Sequence, residues 1–366
     1  MWDRLKHIKW PKLSWQNLLL PLLSVALLVW VARTISLQAT LDTLKQLGTT
    51  ELILLIVINI AVLTTFTGRW WLLLHTLGQR IPIWRLMGYR LTAFAISYFT
   101  PGSHFGGEPY QVYAVSHYHK VPVPISLAAI TLDKLLEMLI NLAVLLAGAL
   151  ILVAMQSGLA PWIEWQIIIY ALLLLAIPTG LLVALWQGRH PLTGLIAFAS
   201  KLVRRPLMQR GWAQTIQASE VQAIWLCRNH PRMVGLAFLI TICTWVGVIW
   251  EYWLLTDMLN LSLSTQQLIA SLVAARIAIL IPVPAGLGAL EAGQMLAMES
   301  LGLDPNVGVA IAVVIRARDV LSGLVGLVLG GAHIWQKVEL PEEEWPPTNG
   351  DARPSANDPH HSVSPP

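Results

Sequence analysis

Charge is scarce in this chain. Asp, Glu, Lys and Arg make up 12% of 366 residues, while 55% are hydrophobic. Soluble domains carry roughly a quarter charged residues, so this composition excludes an ordinary soluble fold. Cysteine is scarcer still. Cys227 and Cys243 lie in helix-like sequence, which excludes a disulfide framework. Catalytic signatures are also missing. There is no H-E-x-x-H, no G-x-S-x-G and no Gly-rich phosphate loop ending in Lys-Ser/Thr. The loops at 155–164, 257–265 and 301–305 hold no paired acids of the kind that bind a metal-bound sugar donor. The chain is therefore expected not to be an enzyme and to use no cofactor. No metal site is expected either: His104, His117 and His119 lack ligand spacing, and His360 and His361 read as incidental. The excess of base does not indicate nucleic acid, because the basic residues sit in short loops between apolar runs.

The distribution of those loops sets the topology. Apolar segments span about 16–33, 51–75, 86–100, 124–154, 165–186, 232–256, 266–283 and 306–335. A bilayer core takes about 20 helical residues to cross. Lys and Arg are absent from the loops at 155–164, 257–265 and 301–305. They are concentrated in the N-terminal residues 1–15, at Arg80, Arg85 and Arg90, and through 187–232. By the positive-inside rule the basic group is cytoplasmic. The membrane domain then covers 16–337, both termini are cytoplasmic, and the location is a cell membrane. Two stretches enter and leave on one face: about 86–120 from the cytoplasmic side, and about 264–300 from the opposite side. The expected fold is all-α and polytopic, with six spanning helices plus two re-entrant hairpins. Residues 188–231 read as amphipathic surface helices with Trp212 and Trp225 at the interface. The acidic, Pro-rich segment 338–366 is expected to be disordered.

The hairpin tips share a motif. "TPGSHFGGEP" contains Pro101, Gly102, Gly106, Gly107 and Glu108, and "PVPAGLGALEA" contains Pro284, Gly286, Gly288 and Glu291. Each Pro is followed seven positions later by Glu. Pro and Gly permit the reversal, and non-helical backbone at membrane depth requires protein or a wet cavity around it. The motifs lie 183 positions apart, which sets Asp133 opposite Arg316 and brings Lys134 and Glu137 near Arg318 and Asp319. This is the pattern of an inverted-topology repeat with a site near the midplane.

Ionisable residues within the apolar segments are costly, on the order of 3 kcal/mol each at the bilayer centre. Two readings remain open. In one, buried pairs pin the hairpins: Glu108 with Lys134, and Glu291 with Arg316 or Arg318. In the other, Glu108, Lys134, Arg276, Glu291, Arg316, Arg318 and Asp319 line a groove that binds or gates a lipid headgroup. Arg69 and Arg90 lie toward the cytoplasmic end and are expected to snorkel.

The stretches "GRWWLLLHTLG" (68–78), "TPGSHFGGEPYQVY" (100–113), "IPVPAGLGALEA" (281–292) and "VVIRARDVLSGLVG" (313–326) resemble the flippase-like membrane region of lysylphosphatidylglycerol synthases. The similarity runs over about 15–335. PAGLG stands where members often have PGGLG. The resemblance implies lipid translocation between leaflets, with membrane lipids as the partners. The aminoacyl-transferase domain of longer members is lacking, so a separate lipid-modifying enzyme or a second copy of this chain are further candidate partners. Two other readings compete: an integral-membrane transferase acting on a lipid-linked substrate, and a non-transporting partner of a cell-envelope enzyme.

Overall fold

The computed structural model describes residues 48–99, 106–155, 161–204, 207–258, 261, 263–280 and 288–335. The expected first span at 16–33, the basic N-terminus, the acidic tail, and Pro101, Gly102, His104, Pro284 and Gly286 lie outside the described residues. Among those described, every regular element is helical.

Eleven α-helices follow in order. The first four are α1 (Thr49–Thr76), α2 (Ile83–Phe99), α3 (Glu108–His119) and α4 (Val123–Met155). Next come α5 (Pro161–Trp186), α6 (Pro191–Val203) and α7 (Gly211–Asn229). The last four are α8 (Pro231–Met258), α9 (Thr265–Leu280), α10 (Ala289–Ser300) and α11 (Pro305–Trp335). Four helical stretches are long and apolar enough to cross a membrane: Thr49–Thr76, Val123–Ile151, Ile168–Trp186 and Pro231–Met258. They coincide with expected spans. Helix α11 has 31 residues but carries Arg316, Arg318 and Asp319 near its middle, and is not among the four.

The first four helices and the last four match in order and length. Helices α1 and α8 have 28 residues each, α2 and α9 have 17 and 16, α3 and α10 have 12 each, and α4 and α11 have 33 and 31. Their packing is crossed in the same way. Helix α2 lies against α11 of the other set, α9 lies against α4 of the other set, and α1 and α8 pack on each other. Glycines at matched positions permit the crossings. A Cβ on Gly148 of α4 would lie 2.4 Å from Val273 Cγ2 of α9, and one on Gly330 of α11 would lie 2.5 Å from Thr92 Cγ2 of α2. At Gly326 the conflict is with backbone, 2.1 Å from the Leu91 carbonyl oxygen. Only a residue without a side chain lets the axes approach this closely.

Burial divides the molecule by chemistry. One apolar cluster joins α1–α4 to α7 and α8, including Trp70, Leu73, Leu86, Leu132 and Leu226. A second joins α8 to α9, α10 and α11, including Leu255, Met298 and Ile311. Outward, Ile53, Ile56 and Ile60 of α1, Leu172, Leu173 and Ile177 of α5, and Leu239, Val246 and Trp250 of α8 are exposed. Patches of that extent are not carried by soluble monomers; they suit a surface whose solvent is lipid. Helix α6 buries none of its side chains. Its start is capped by the buried Glu220 of α7, which accepts from the Leu192 and Thr193 amides at 2.5 and 3.0 Å and from the Thr193 hydroxyl.

Candidate functional site

Twelve charged residues of the matched helices form two clusters, one per matched set: Arg69, Arg90, Glu108, Asp133, Lys134 and Glu137, and Glu251, Arg276, Glu291, Arg316, Arg318 and Asp319. In the first, Arg69 of α1 is fully buried. It donates through Nε to Asp133 at 2.6 Å, through Nη2 to Glu137 at 3.0 Å and through Nη1 to the Thr241 hydroxyl of α8 at 3.2 Å. Arg90 of α2 donates to Asp133 at 2.9 Å and to the Phe66 carbonyl at 2.7 Å. Both guanidinium groups lie over the Phe66 ring, 5.7 and 5.4 Å from its centroid, within cation–π range. The expectation that Arg69 and Arg90 snorkel is overturned. Asp133 and Glu137 stand at i and i+4 on α4 and thus share a face, and both carboxylates pair with both arginines.

The second cluster mirrors the first with its signs exchanged. Glu251 of α8 is buried and meets Arg318 of α11 at 2.5 Å. Glu251 also accepts from Asn59 of α1 at 3.0 Å. An arginine on α1 thus faces acids on α4, and an acid on α8 faces an arginine on α11. Each pair makes one hydrogen bond with a neutral side chain of the opposite set, Arg69 donating to Thr241 and Glu251 accepting from Asn59. Arg318 also donates from Nε and Nη2 to Asp319 Oδ1, at 2.9 and 2.8 Å.

The turns bring the sequence motif to these clusters. Gly106 and Gly288 both adopt positive φ, 142° and 76°. A Cβ on Gly107 would lie 2.1 Å from the Ala93 carbonyl oxygen. Glu108 accepts from the Gly106 amide at 2.8 Å and meets Lys134 at 3.3 Å. Glu291 accepts from the Gly288 amide at 3.0 Å and forms a two-pronged pair with Arg316, one contact at 2.9 Å. Each carboxylate therefore fixes a helix start and reaches one cation on the long helix that follows. Bidentate pairing makes the Arg316 contact the stronger of the two. The register is corrected by these pairs. Lys134, not Asp133, is the counterpart of Arg316, because each is the twelfth residue of its helix, α4 beginning at Val123 and α11 at Pro305.

Arg276 of α9 differs from the other six residues expected at the site. No described carboxylate lies within ion-pair distance of it. Its guanidinium sits over the Trp245 ring, 4.8 Å from the centroid, and is half-buried. Sequence reasoning missed a neutral network beside it. Tyr252 meets Ser271 at 2.5 Å and donates to Gln294 at 3.1 Å, and Gln294 donates to the Ser271 carbonyl at 2.8 Å. This ties α8, α9 and α10 together. No motif signals such scattered residues. Among the described residues no group of three or more His, Cys, Asp or Glu is placed to hold a metal ion.

Long apolar helices, lipid-like outer faces and inward-turned charge define a helical multi-pass membrane protein. The family model for the lysylphosphatidylglycerol synthase membrane region matches residues 17–326. The chain belongs to that family. Neither a curated protein nor a solved structure matches it.

Proposed function

We propose that this protein is a lipid translocase without enzymatic activity of its own. In this reading α2–α3 and α9–α10 are re-entrant hairpins entering from opposite faces, six helices span the membrane, and both termini are cytoplasmic. The headgroup travels along the charged interior while the acyl chains stay in lipid. One observation carries the reading: at each of two matched turns a carboxylate bridges a glycine amide and a cation at the twelfth residue of a long helix. Lys134 and Arg316 lie roughly 16 Å from their helix starts at about 1.5 Å per residue, near the middle of a core about 30 Å thick. Charges held there, where a Gly turn starts a helix within the membrane, are suited to a path for polar groups. Membrane lipids are the only partners the reading requires.

The test is reconstitution of the purified protein in liposomes without co-substrate. Acyl-labelled phospholipid in the inner leaflet should become accessible to an impermeant quencher faster than in protein-free vesicles. A transferase would instead need a donor and yield a new lipid, and a non-transporting partner would do neither. Equal rates with and without protein, across a panel of headgroups, would refute the proposal.

A further inference from the structure

Resting on the transport reading, we infer that the second cluster receives a zwitterionic phospholipid headgroup, with Arg276 on the phosphate and Asp319 on the ammonium. The valences of the charged groups lead to this assignment. Glu108 and Glu291 each use both oxygens, on a glycine amide and a cation. Asp133 uses both oxygens on two arginines. Lys134 is shared between Glu108 and Glu137. Arg276 keeps open capacity, and Glu137, Glu251 and Asp319 take all their described contacts on one oxygen. Of the latter two acids, both in the second cluster, Glu251 is 3% exposed and Asp319 14%, so Asp319 is the accessible one. Arg276 has its face on Trp245 and no carboxylate at ion-pair distance among the described residues. Asp319 receives both Arg318 contacts on Oδ1, so Oδ2 holds no partner among the described residues. A stacked guanidinium still presents its N–H donors in the ring plane, in the fork that fits phosphate oxygens.

The matched set shows that the fold does not need this cation. Arg276 is the twelfth residue of α9, and the twelfth residue of α2 is Phe94, which stacks on Tyr98 with centroids 5.6 Å apart. An aromatic residue serves the packing there. The cation at 276 is the addition.

Charge balance selects the class of headgroup. Arg69, Arg90 and Lys134 offset Asp133, Glu137 and Glu108 in the first cluster. Arg276, Arg316 and Arg318 offset Glu251, Glu291 and Asp319 in the second. Both sum to zero. A headgroup with net charge would leave that charge uncompensated in a low-dielectric interior. A headgroup whose phosphate and ammonium cancel leaves the site neutral at every stage of passage.

The experiment uses the reconstituted full chain and three acyl-labelled probes: phosphatidylethanolamine, phosphatidylglycerol, and a lipid with net positive headgroup. The zwitterionic probe should move at least about fivefold faster than either charged one, and Arg276→Gln should remove most of that advantage without lowering thermal stability. One lost charged contact is commonly a factor of about ten. Faster movement of either charged probe overturns the headgroup class. Normal movement of the zwitterionic probe by Arg276→Gln overturns the receptor. Should no probe move, the transport reading fails, and the site is judged by binding alone. Short-chain phosphocholine should then raise the melting temperature of the wild type in detergent and not that of Arg276→Gln; equal shifts, or none, overturn the site as well.

Discussion

Asp133→Asn removes one charge from the most enclosed part of the molecule. Asp133 is 2% exposed and holds Arg69 and Arg90 at 2.6 and 2.9 Å. Asparagine keeps the shape and one acceptor oxygen. Arg69 and Arg90 would then share Glu137, which Lys134 already approaches at 3.4 Å. Stranding a buried charge costs about 3–5 kcal/mol. At about 2 °C per kcal/mol for a large chain, the melting midpoint should fall by roughly 6–10 °C. Lys134→Gln is the comparison. Its side chain is 26% exposed and its partners 22% and 29%; on the proposed path these groups meet water, which Asp133 does not, so screening reduces the loss to about 0–1 kcal/mol, or at most about 2 °C. The assay heats purified protein in detergent and follows the monodisperse fraction by size exclusion. Asp133→Asn combined with Arg90→Gln restores neutrality and should recover most of the loss. An Asp133→Asn midpoint within about 1 °C of wild type would refute the argument from burial. A double variant no better than the single would show that shape and the Phe66 carbonyl contact, not charge, set the cost.

Gly326→Val should destabilise the protein by about 1–3 kcal/mol through overpacking against the Leu91 carbonyl. Gly235→Ala in α8, with nothing within 4 Å, should stabilise it by about 0.5–1 kcal/mol; the same melting assay reads both. Glu220→Gln weakens the charged cap of α6 by about 1–2 kcal/mol, so tryptic cleavage at Lys201 should accelerate about tenfold, and an unchanged rate would count against the cap. On a Cys243→Ser background, Ser264→Cys should react with impermeant maleimide in intact cells, and Gln209→Cys only after permeabilisation. Buried Cys227, its thiol pushed up to about 11 by desolvation, should stay silent in both. The reverse pattern would overturn the orientation.

Much of this arrangement was legible in residue spacing. Apolar runs marked the long helices, and the Pro-to-Glu motif marked both turns, because helix length and backbone reversal are local properties. The pair Glu108–Lys134 was expected as one of two readings, and for Glu291 the sequence left Arg316 and Arg318 open; the structure pairs it with Arg316. Arg69 and Arg90 were misread because distance from the end of an apolar run says nothing about what faces it. The i, i+4 spacing of Asp133 and Glu137 was the available signal. The register erred by one because Pro101 and Pro284 lie 183 positions apart, whereas the flanking helices α4 and α11 begin at 123 and 305. A turn can absorb one residue without moving the helices around it. The exchanged signs of Arg69 and Glu251 belong to tertiary packing, as does the Tyr252–Ser271–Gln294 network, and neither has a sequence pattern.

The crossed packing imposes an order of events during synthesis. Helix α2 ends at Phe99, and its partner α11 begins at Pro305. At about 5–20 residues per second the ribosome takes on the order of 10–40 s to bridge that interval. Through it Arg90 can already be neutralised by Asp133 of α4, while the groove side of α2, where Thr92 will meet Gly326 and Gly330, faces lipid or a chaperone. Synthesis of α11 is therefore also the closure of the first matched set, and a product stalled or truncated before Pro305 would leave a hairpin whose charges are satisfied but whose walls are missing.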